Sequence, residues 1–341
     1  MLRRFTENRV GRKGLKTWTL RLAVQGGFAA LLVLLGLLFL RFVRAIEAGR
    51  LPLPDRPTGA EGFLPISGLM GALDWLYQGR LNAIHPAATV LFLLFTASAL
   101  ILRKNFCSWI CPVGLLSESL ARLGRRLFGR NFRPWKWLDV VLRSLKYLLL
   151  GFFAFSILGM GAAALSEFIH SDYNRVSDVK MFYFFARLSG TAALVIAALA
   201  LGSIFVNGFW CRYLCPYGAW LGLFSWASPL KVRRNAETCI DCGLCDRVCM
   251  ARLPVSKKAR IVSPECTGCL DCVASCPVPN TLVMGTRRRA WSALRYGAGV
   301  LLVFLAGWLI ARATGRWESA VSDAEYLRLF EILDRLDHLG R

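Results

Sequence analysis

The distribution of apolar residues is the strongest constraint on the fold of this chain. A helix needs about 20 apolar residues to cross the hydrocarbon core of a bilayer. Five stretches reach or approach that length, and this number is not typical of the buried helices of a soluble protein. They are Leu22–Leu40, Pro86–Leu102, Tyr147–Leu165, Leu188–Val206 and Tyr296–Ala311. The sequence therefore predicts an all-α integral membrane protein with about five transmembrane helices.

Basic residues are concentrated in alternate segments between these stretches. Residues 1–21, 103–146 and 207–290 hold 29 lysines and arginines against 8 acidic residues. Residues 41–85, 166–187 and 312–341 hold 13 of each. Loops rich in lysine and arginine stay on the cytoplasmic side of a membrane. The pattern predicts a multi-pass protein of the bacterial inner membrane, with its N-terminus in the cytoplasm and its C-terminus outside. Topology thus explains the net charge of +22, and no nucleic-acid partner is needed.

Eight cysteines form two runs with the same spacing, C-x2-C-x2-C-x3-C. The first run is CIDCGLCDRVC and the second is CTGCLDCVASC. Three thiolates at this spacing hold one [4Fe–4S] cluster, and the fourth thiolate reaches the neighbouring cluster. The spacing predicts two clusters, one on Cys239, Cys242, Cys245 and Cys276, the other on Cys266, Cys269, Cys272 and Cys249.

Structural zinc sites are the alternative for paired C-x2-C motifs. A zinc ion needs four thiolates and does not explain the third cysteine or the offset fourth one. We therefore expect a small α+β ferredoxin-like domain over residues 231–286, on the cytoplasmic side. The reducing cytoplasm argues against structural disulfides there. Two neighbouring clusters are suited to passing single electrons.

A second cysteine motif occurs twice. FCSWICPVG covers residues 106–114 and WCRYLCPYG covers residues 210–218. Side chains four residues apart share one face of a helix, and proline favours the first turn of a new helix. The repeat predicts that Cys107, Cys111, Cys211 and Cys215 converge at the cytoplasmic boundary of the membrane. A further metal or iron–sulfur centre, a redox-active dithiol pair and simple packing are all compatible with the motif.

The double C-x3-C-P motif followed by a two-cluster segment resembles the NapH-type membrane polyferredoxins. The C-terminal half of NosR and the CcoG proteins belong to the same group. The resemblance covers about Leu22–Met284 and implies a four-helix membrane core with cytoplasmic clusters. It also implies either quinol-linked electron transfer or copper reduction during oxidase assembly. A fifth span and a short outer tail distinguish this chain from NapH.

Two histidines and a short tail are the notable features predicted for the outer face. His85 and His170 lie at span ends, where they could bind a quinone, ligate a haem, or be ordinary interfacial histidines. In the tail, Ser322 and Glu325 are spaced as a capping box. An apolar stripe follows and predicts a helix that packs back onto the membrane or binds a partner: Tyr326, Leu329, Phe330, Leu333 and Leu336.

The predicted organisation has five parts. They are a basic N-terminus (1–21), a membrane core (22–230), the ferredoxin-like domain (231–286), a fifth span (287–312) and an outer tail (313–341). The expected function is electron transfer between a membrane quinone pool or a redox partner protein and cytoplasmic clusters. The chain would serve a respiratory or periplasmic reductase as an oxidoreductase component. A copper reductase or assembly factor for a cuproenzyme is the alternative.

Overall fold

A computed structural model describes residues 12–336, with side chains described from residue 17 onward. The predictions for residues 1–11 and 337–341 therefore lie outside the described residues. The described chain is mostly helical. The helices are α1 Arg12–Glu47, α2 Pro65–Gln78, α3 Pro86–Leu102, α4 Phe106–Trp109, α5 Pro112–Phe128, α6 Lys136–Gly159, α7 Gly161–His170, α8 Asp172–Arg175, α9 Ser177–Ala186, α10 Gly190–Phe205, α11 Pro216–Ala227, α12 Leu244–Val248, α13 Asp271–Ala274, α14 Ala293–Ala313 and α15 Asp323–Glu331.

Three helices of the described chain are long and apolar enough to cross a membrane: α1 over Thr17–Glu47, α6 and α14. Helices α9 and α10 add a fourth span if this pair, which is bent by 75°, is counted as one. The remaining apolar helix, α3, has 17 residues. A helix therefore occurs at each of the five predicted positions, and three to four of them are membrane-span candidates.

The third predicted span differs from the structure at both ends. We expected Tyr147–Leu165, whereas α6 begins at Lys136 and ends at Gly159. Its charged first turns obscured its start in the sequence, but ion pairs stabilise them: Asp139 with Arg212, and Lys146 with Glu265. Gly161 has a φ of +71°. This left-handed conformation interrupts the helix and separates α6 from α7.

The chain divides into two compact units. The first comprises the described part of Met1–Ala29 together with Phe95–Leu150 and Ala197–Phe304. The second comprises Ala30–Leu94, Gly151–Ile196 and the described part of Leu305–Arg341. All twelve cysteines belong to the first unit.

The C-terminal helix α15 packs in the core of the second unit. The Ser322 side chain accepts a hydrogen bond from the backbone N–H of Glu325, which confirms the predicted N-cap. Tyr326, Leu329 and Leu333 are buried against residues of α1 that include Phe42. The apolar stripe of the tail thus packs against the end of α1 within the chain, whereas the sequence analysis expected it to pack on the membrane or bind a partner.

The first unit contains a small antiparallel sheet. Its strands are β1 Lys231–Arg234, β2 Leu282–Gly285 and β3 Ala290–Trp291, in the order β1-β2-β3. Strand β1 precedes the first cysteine run, and β2 follows the second. Pairing of β1 with β2, for example Val232 with Met284, joins the two ends of the cysteine-rich segment. This segment is the small α+β portion that the sequence predicted.

Candidate iron–sulfur sites

The eight cysteines of the ferredoxin-like segment surround two cavities. We call them the outer and the inner cavity, with about 360 Å³ and 390 Å³ of empty space, part of it open to solvent. Each cavity has four cysteines in its wall. The outer cavity is lined by Cys239, Cys242, Cys245 and Cys276, and the inner cavity by Cys249, Cys266, Cys269 and Cys272. The fourth cysteine of each run therefore lines the cavity of the other run.

The two cavities share an unusual backbone conformation. In the first run Asp241 and Gly243, which flank Cys242, have φ values of +48° and +65°. In the second run Gly268 and Leu270 flank Cys269 and both have a φ of +66°. Non-glycine residues at positive φ are strained and concentrate at functional sites. Backbone turns of this kind form concavities lined by N–H groups, which also occur at iron–sulfur sites. Soft thiolate donors and this repeated turn both fit a [4Fe–4S] cluster.

The two cavities differ in their access to solvent. At the outer cavity Cys242 is exposed, and the neighbouring Ile240 side chain is 65% exposed. Each cavity has one buried cysteine, Cys245 in the outer and Cys272 in the inner, and burial raises the pKa of both thiols. None of the four cysteines of the inner cavity is exposed. The outer cavity thus offers the shorter route to a soluble partner.

Each C-x3-C-P motif folds as one turn followed by a new helix. Cys107 lies in α4, and Cys111 is the N-cap of α5 with Pro112 in its first turn. Cys211 lies in a π-helical turn over Trp210–Leu214, and Cys215 caps α11. Both second cysteines adopt an extended backbone. The proline prediction is confirmed, but neither cysteine pair lies on one continuous helix as we expected, because the chain turns at the second cysteine.

The two motifs approach each other. The Phe106 and Tyr217 rings make an edge-to-face contact with centroids 5.6 Å apart. Burial raises the pKa of Cys107 to about 11, and nearby Cys215 also raises it. Burial likewise raises the pKa of Cys111, with Cys107 and Cys211 contributing. Neighbouring thiols with raised pKa values are protonated, and they lose their protons when a metal binds to them. We refer to Cys107, Cys111, Cys211 and Cys215 as the four-cysteine group.

The four-cysteine group has no close set of ligands for a single ion. Within residues 12–336, no three His, Cys, Asp or Glu side chains are grouped so as to hold one metal ion. The buried Ser117 hydroxyl lies near Cys211 and lowers the pKa of that thiol against the larger effect of burial.

The glycine of the first motif is required by packing. A Cβ on Gly114 would stand against the carbonyl oxygen of Cys107, well inside van der Waals contact. We expect Gly114→Ala to lower the stability by about 1–3 kcal/mol, the usual cost of overpacking. Thermal unfolding in detergent measures this loss. Gly151→Ala is the matched control, because no atom lies within 4 Å of a Cβ there. An equal unfolding temperature for the two variants would contradict the steric argument.

Two buried lysines and one buried glutamate lie beside the four-cysteine group. Lys146 Nζ lies 2.6 and 2.7 Å from the two carboxylate oxygens of Glu265. Lys104 is buried. A Cβ added to Gly218 would lie 3.5 Å from Lys104 Nζ and also 3.5 Å from Cys215 Sγ. Burial alone would lower the pKa of Lys104, but Cys107, Glu265 and Cys215 raise it further than burial lowers it. The ammonium of Lys104 therefore faces the thiols.

Hydrogen bonds connect both C-x3-C-P motifs to the inner cavity. Between Cys107 and Cys111, the Ser108 hydroxyl donates to the carbonyl of Thr267 at 2.7 Å, and Trp109 Nε1 donates to Gly268 at 3.2 Å. Both acceptors lie between two cysteines of the inner cavity. From the second motif, Arg212 donates to the carbonyl of Ala251 at 2.8 Å, two residues after Cys249. No sequence pattern identified these contacts.

The two histidines have different surroundings in the second unit. His85 is fully buried; its Nδ1 lies 3.2 Å from Glu61, and its Nε2 lies 2.6 Å from the Asn174 carbonyl. Ser177 Oγ also lies 3.1 Å from Nε2, so both ring nitrogens of His85 already have polar partners. His170 is exposed, with Nδ1 2.8 Å from the carbonyl of Ser166. The role of the two histidines as quinone ligands stays a prediction.

Comparison with known protein families agrees with the two cysteine patterns. A 4Fe-4S dicluster domain profile matches residues 231–277. A second profile, for a 4Fe-4S binding domain, matches residues 84–131 and again residues 188–235. These two segments have the same 104-residue offset as Cys107 and Cys211. The same profile therefore matches both copies of the repeated cysteine motif.

Several known proteins have similar sequences. YccM of Escherichia coli K12, which its name assigns to electron transport, is 42% identical over 94% of this chain and 92% of its own length. The chain belongs to the membrane polyferredoxin family of the NapH and NosR type. NosR of Pseudomonas aeruginosa, a regulatory protein by name, is 30% identical over 77% of this chain but 39% of its own length. The ferredoxin-type protein NapH of E. coli is 27% identical over 62% of this chain. No solved structure matches the chain.

Membership of this family establishes the general class of the molecule. It is an iron–sulfur protein of electron transport, with 4Fe-4S binding domains and apolar helices suited to a membrane.

Proposed function

We propose that this chain carries electrons between a donor in the membrane and a partner at the cytoplasmic surface. The single observation that carries the proposal is the contact of both C-x3-C-P motifs with the inner cavity. The outer cavity, the inner cavity and the four-cysteine group then follow one another from an exposed cysteine, Cys242, to the membrane helices. A donor or acceptor at each end completes the function of an inner-membrane electron-transfer component.

Cys239, Cys242, Cys245 and Cys276 would hold one [4Fe–4S] cluster, and Cys249, Cys266, Cys269 and Cys272 the other. When bound, such a cluster supplies one-electron oxidation and reduction at a potential set by its surroundings. The cavities and the repeated positive-φ turns support this assignment. The protein itself fixes the spacing between the two sites by pairing β1 with β2 and by contact of α12 with α13.

The charge around the four-cysteine group favours a metal centre over a neutral dithiol. Lys104 and Lys146 contribute two buried positive charges, and Glu265 contributes one negative charge. A buried charge without compensation is costly. Thiolates bound to a metal or to an iron–sulfur cluster would supply the missing negative charge, whereas thiols or a disulfide would not. Because the 4Fe-4S binding profile includes both motifs, an iron–sulfur cluster is the centre that we propose for this site.

The membrane donor that we propose is a quinol. Quinol chemistry fits a protein whose redox groups adjoin apolar helices, and we place the quinol site on the same, cytoplasmic side as the four-cysteine group. The test uses the full-length protein in membranes. Adding a short-chain quinol should bleach the visible absorption of the clusters within seconds to minutes. A copper reductase would be supported instead if a Cu(II) salt oxidised the prereduced clusters catalytically and the clusters did not respond to quinol.

The orientation that we propose places the cysteines in the cytoplasm, because basic residues are concentrated in the same segments as the cysteines. We expect alkaline phosphatase, which is active only in the periplasm, to be active when fused after Arg341. The same enzyme fused after Gly285 should be inactive, and a fluorescent protein that matures in the cytoplasm should give the reverse result. Phosphatase activity at Gly285 and none at Arg341 would overturn the orientation.

A further inference from the structure

Helix α5 has its apolar residues on the outside. Four residues of one stripe, Val113, Leu116, Leu123 and Leu127, are 42%, 58%, 42% and 64% exposed. They recur at alternating spacings of three or four residues when the partly buried Leu120 is included, as on one face of a helix. A helix on the surface of a soluble domain would bury this face. We call these five residues the leucine stripe.

The opposite face of α5 is fixed to the protein by small and polar residues. Gly114, Ser117, Glu118, Ala121 and Gly124 are buried. Glu118 accepts a charge-assisted hydrogen bond from Arg21 at 2.7 Å and also pairs with Arg122. A Cβ on Gly124 would collide with the carbonyl of Ile204. The helix therefore cannot rotate to bury the leucine stripe, and the stripe faces outward as a consequence of how α5 is held.

The stretch around the leucine stripe is strongly basic. Residues 112–138 contain six cations and a single acidic residue, Glu118, whose carboxylate is already paired. The cations are Arg122, Arg125, Arg126, Arg130, Arg133 and Lys136. Trp135 and Trp137, exposed by 73% and 62%, stand at the start of the membrane-span candidate α6. Tryptophans at that position are typical of the interface between a membrane and water.

We infer that α5 lies in the headgroup layer of the membrane and binds anionic phospholipid. An outward apolar stripe with arginines beside it is the pattern of an interfacial amphipathic helix. Lysines and arginines next to a membrane surface attract anionic lipids. The short connection from α5 to α6 places the helix within reach of the bilayer that α6 would cross. Because Cys111 caps α5, anionic lipid would fix the depth of the four-cysteine group.

Amide hydrogen exchange of the full-length protein in lipid nanodiscs tests this inference. Discs of phosphatidylcholine are compared with discs that also contain phosphatidylglycerol. We expect peptides from residues 112–128 to exchange more slowly in the anionic discs. The variant Arg125→Gln/Arg126→Gln/Arg130→Gln should lose this difference, and its affinity for phosphatidylglycerol should fall about fivefold for each arginine removed.

The matched control removes the same charge from the ferredoxin-like segment. In Lys257→Gln/Lys258→Gln/Arg260→Gln, all three substituted residues are exposed, and the slower exchange in anionic discs should persist. Equal exchange in the two kinds of disc, or equal loss of protection in both triple variants, would overturn the inference. Protection that rises with protein concentration and ignores lipid charge would assign the face to a second copy of the chain instead. The iron content of each variant confirms that it has folded.

Discussion

Replacing Cys276 with serine is expected to remove the cluster of the outer cavity, although Cys276 belongs to the second cysteine run. Its side chain lines the outer cavity together with the first three cysteines of the other run. Serine is a poor ligand for iron, so the variant should lose about four iron atoms per chain. Cys249→Ser should remove the other cluster, because Cys249 lines the inner cavity.

Reference variants identify which cluster is lost. Cys242→Ser removes a ligand of the outer cavity in any assignment, and Cys269→Ser removes one of the inner cavity. The electron paramagnetic resonance spectrum of reduced Cys276→Ser should match that of Cys242→Ser, and Cys249→Ser should match Cys269→Ser. The opposite matching would show that each run holds its own cluster. Cys272 lies four residues before Cys276 in the same run but lines the inner cavity, so the spectrum of Cys272→Ser should match that of Cys269→Ser. A difference between the spectra of Cys272→Ser and Cys276→Ser then reflects the cavity that each cysteine lines and not the run to which both belong.

Cysteine spacing was sufficient to predict which four cysteines line each cavity, while their role as cluster ligands stays a prediction. Covalent spacing limits which thiolates can share a cluster, so the sequence contains this information directly. The positive-φ turns at Asp241 and Leu270 could not be predicted in the same way, because non-glycine residues seldom adopt this conformation. Only the glycines in DCG and TGC gave a partial signal.

The surroundings of the four-cysteine group were beyond the reach of the sequence. Glu265 lies 119 residues from Lys146, and Thr267 lies 159 residues from Ser108. Contacts over such separations depend on tertiary packing, which local periodicity does not encode. Hydropathy also placed the start of α6 eleven residues too late, because it counts Asp139 and Lys146 as charges and cannot see that they are paired. The sequence contained one signal of these surroundings, the adjacent basic residues Arg103 and Lys104 just before the first motif. A basic pair at the end of a membrane span is, however, usually explained by the orientation of the protein in the membrane.

The double variant Cys107→Ser/Cys211→Ser is expected to stop electron transfer from the membrane donor while both clusters of the ferredoxin-like segment remain. One cysteine is removed from each motif, so the four-cysteine group keeps two thiols and cannot hold a cluster. We expect the rate of quinol-dependent cluster reduction to fall by more than about 100-fold, since even outer-shell partners of metal ligands cost 10–100-fold when removed. Stopped-flow absorption in proteoliposomes measures this rate.

Two further measurements on the double variant separate the interpretations of the motif. Direct reduction with dithionite should remain as in the wild type, because the outer cavity is open to solvent at Cys242 and its ligands are untouched. Loss of about four iron atoms would indicate an iron–sulfur cluster on the four-cysteine group, whereas unchanged iron with a slow quinol reaction would indicate a dithiol. Unchanged iron together with a wild-type quinol rate would mean that the repeated motif only packs. In that case the hydrogen bonds of Ser108 and Trp109 would serve to dock the ferredoxin-like segment, and electrons would have to enter the inner cavity by another route.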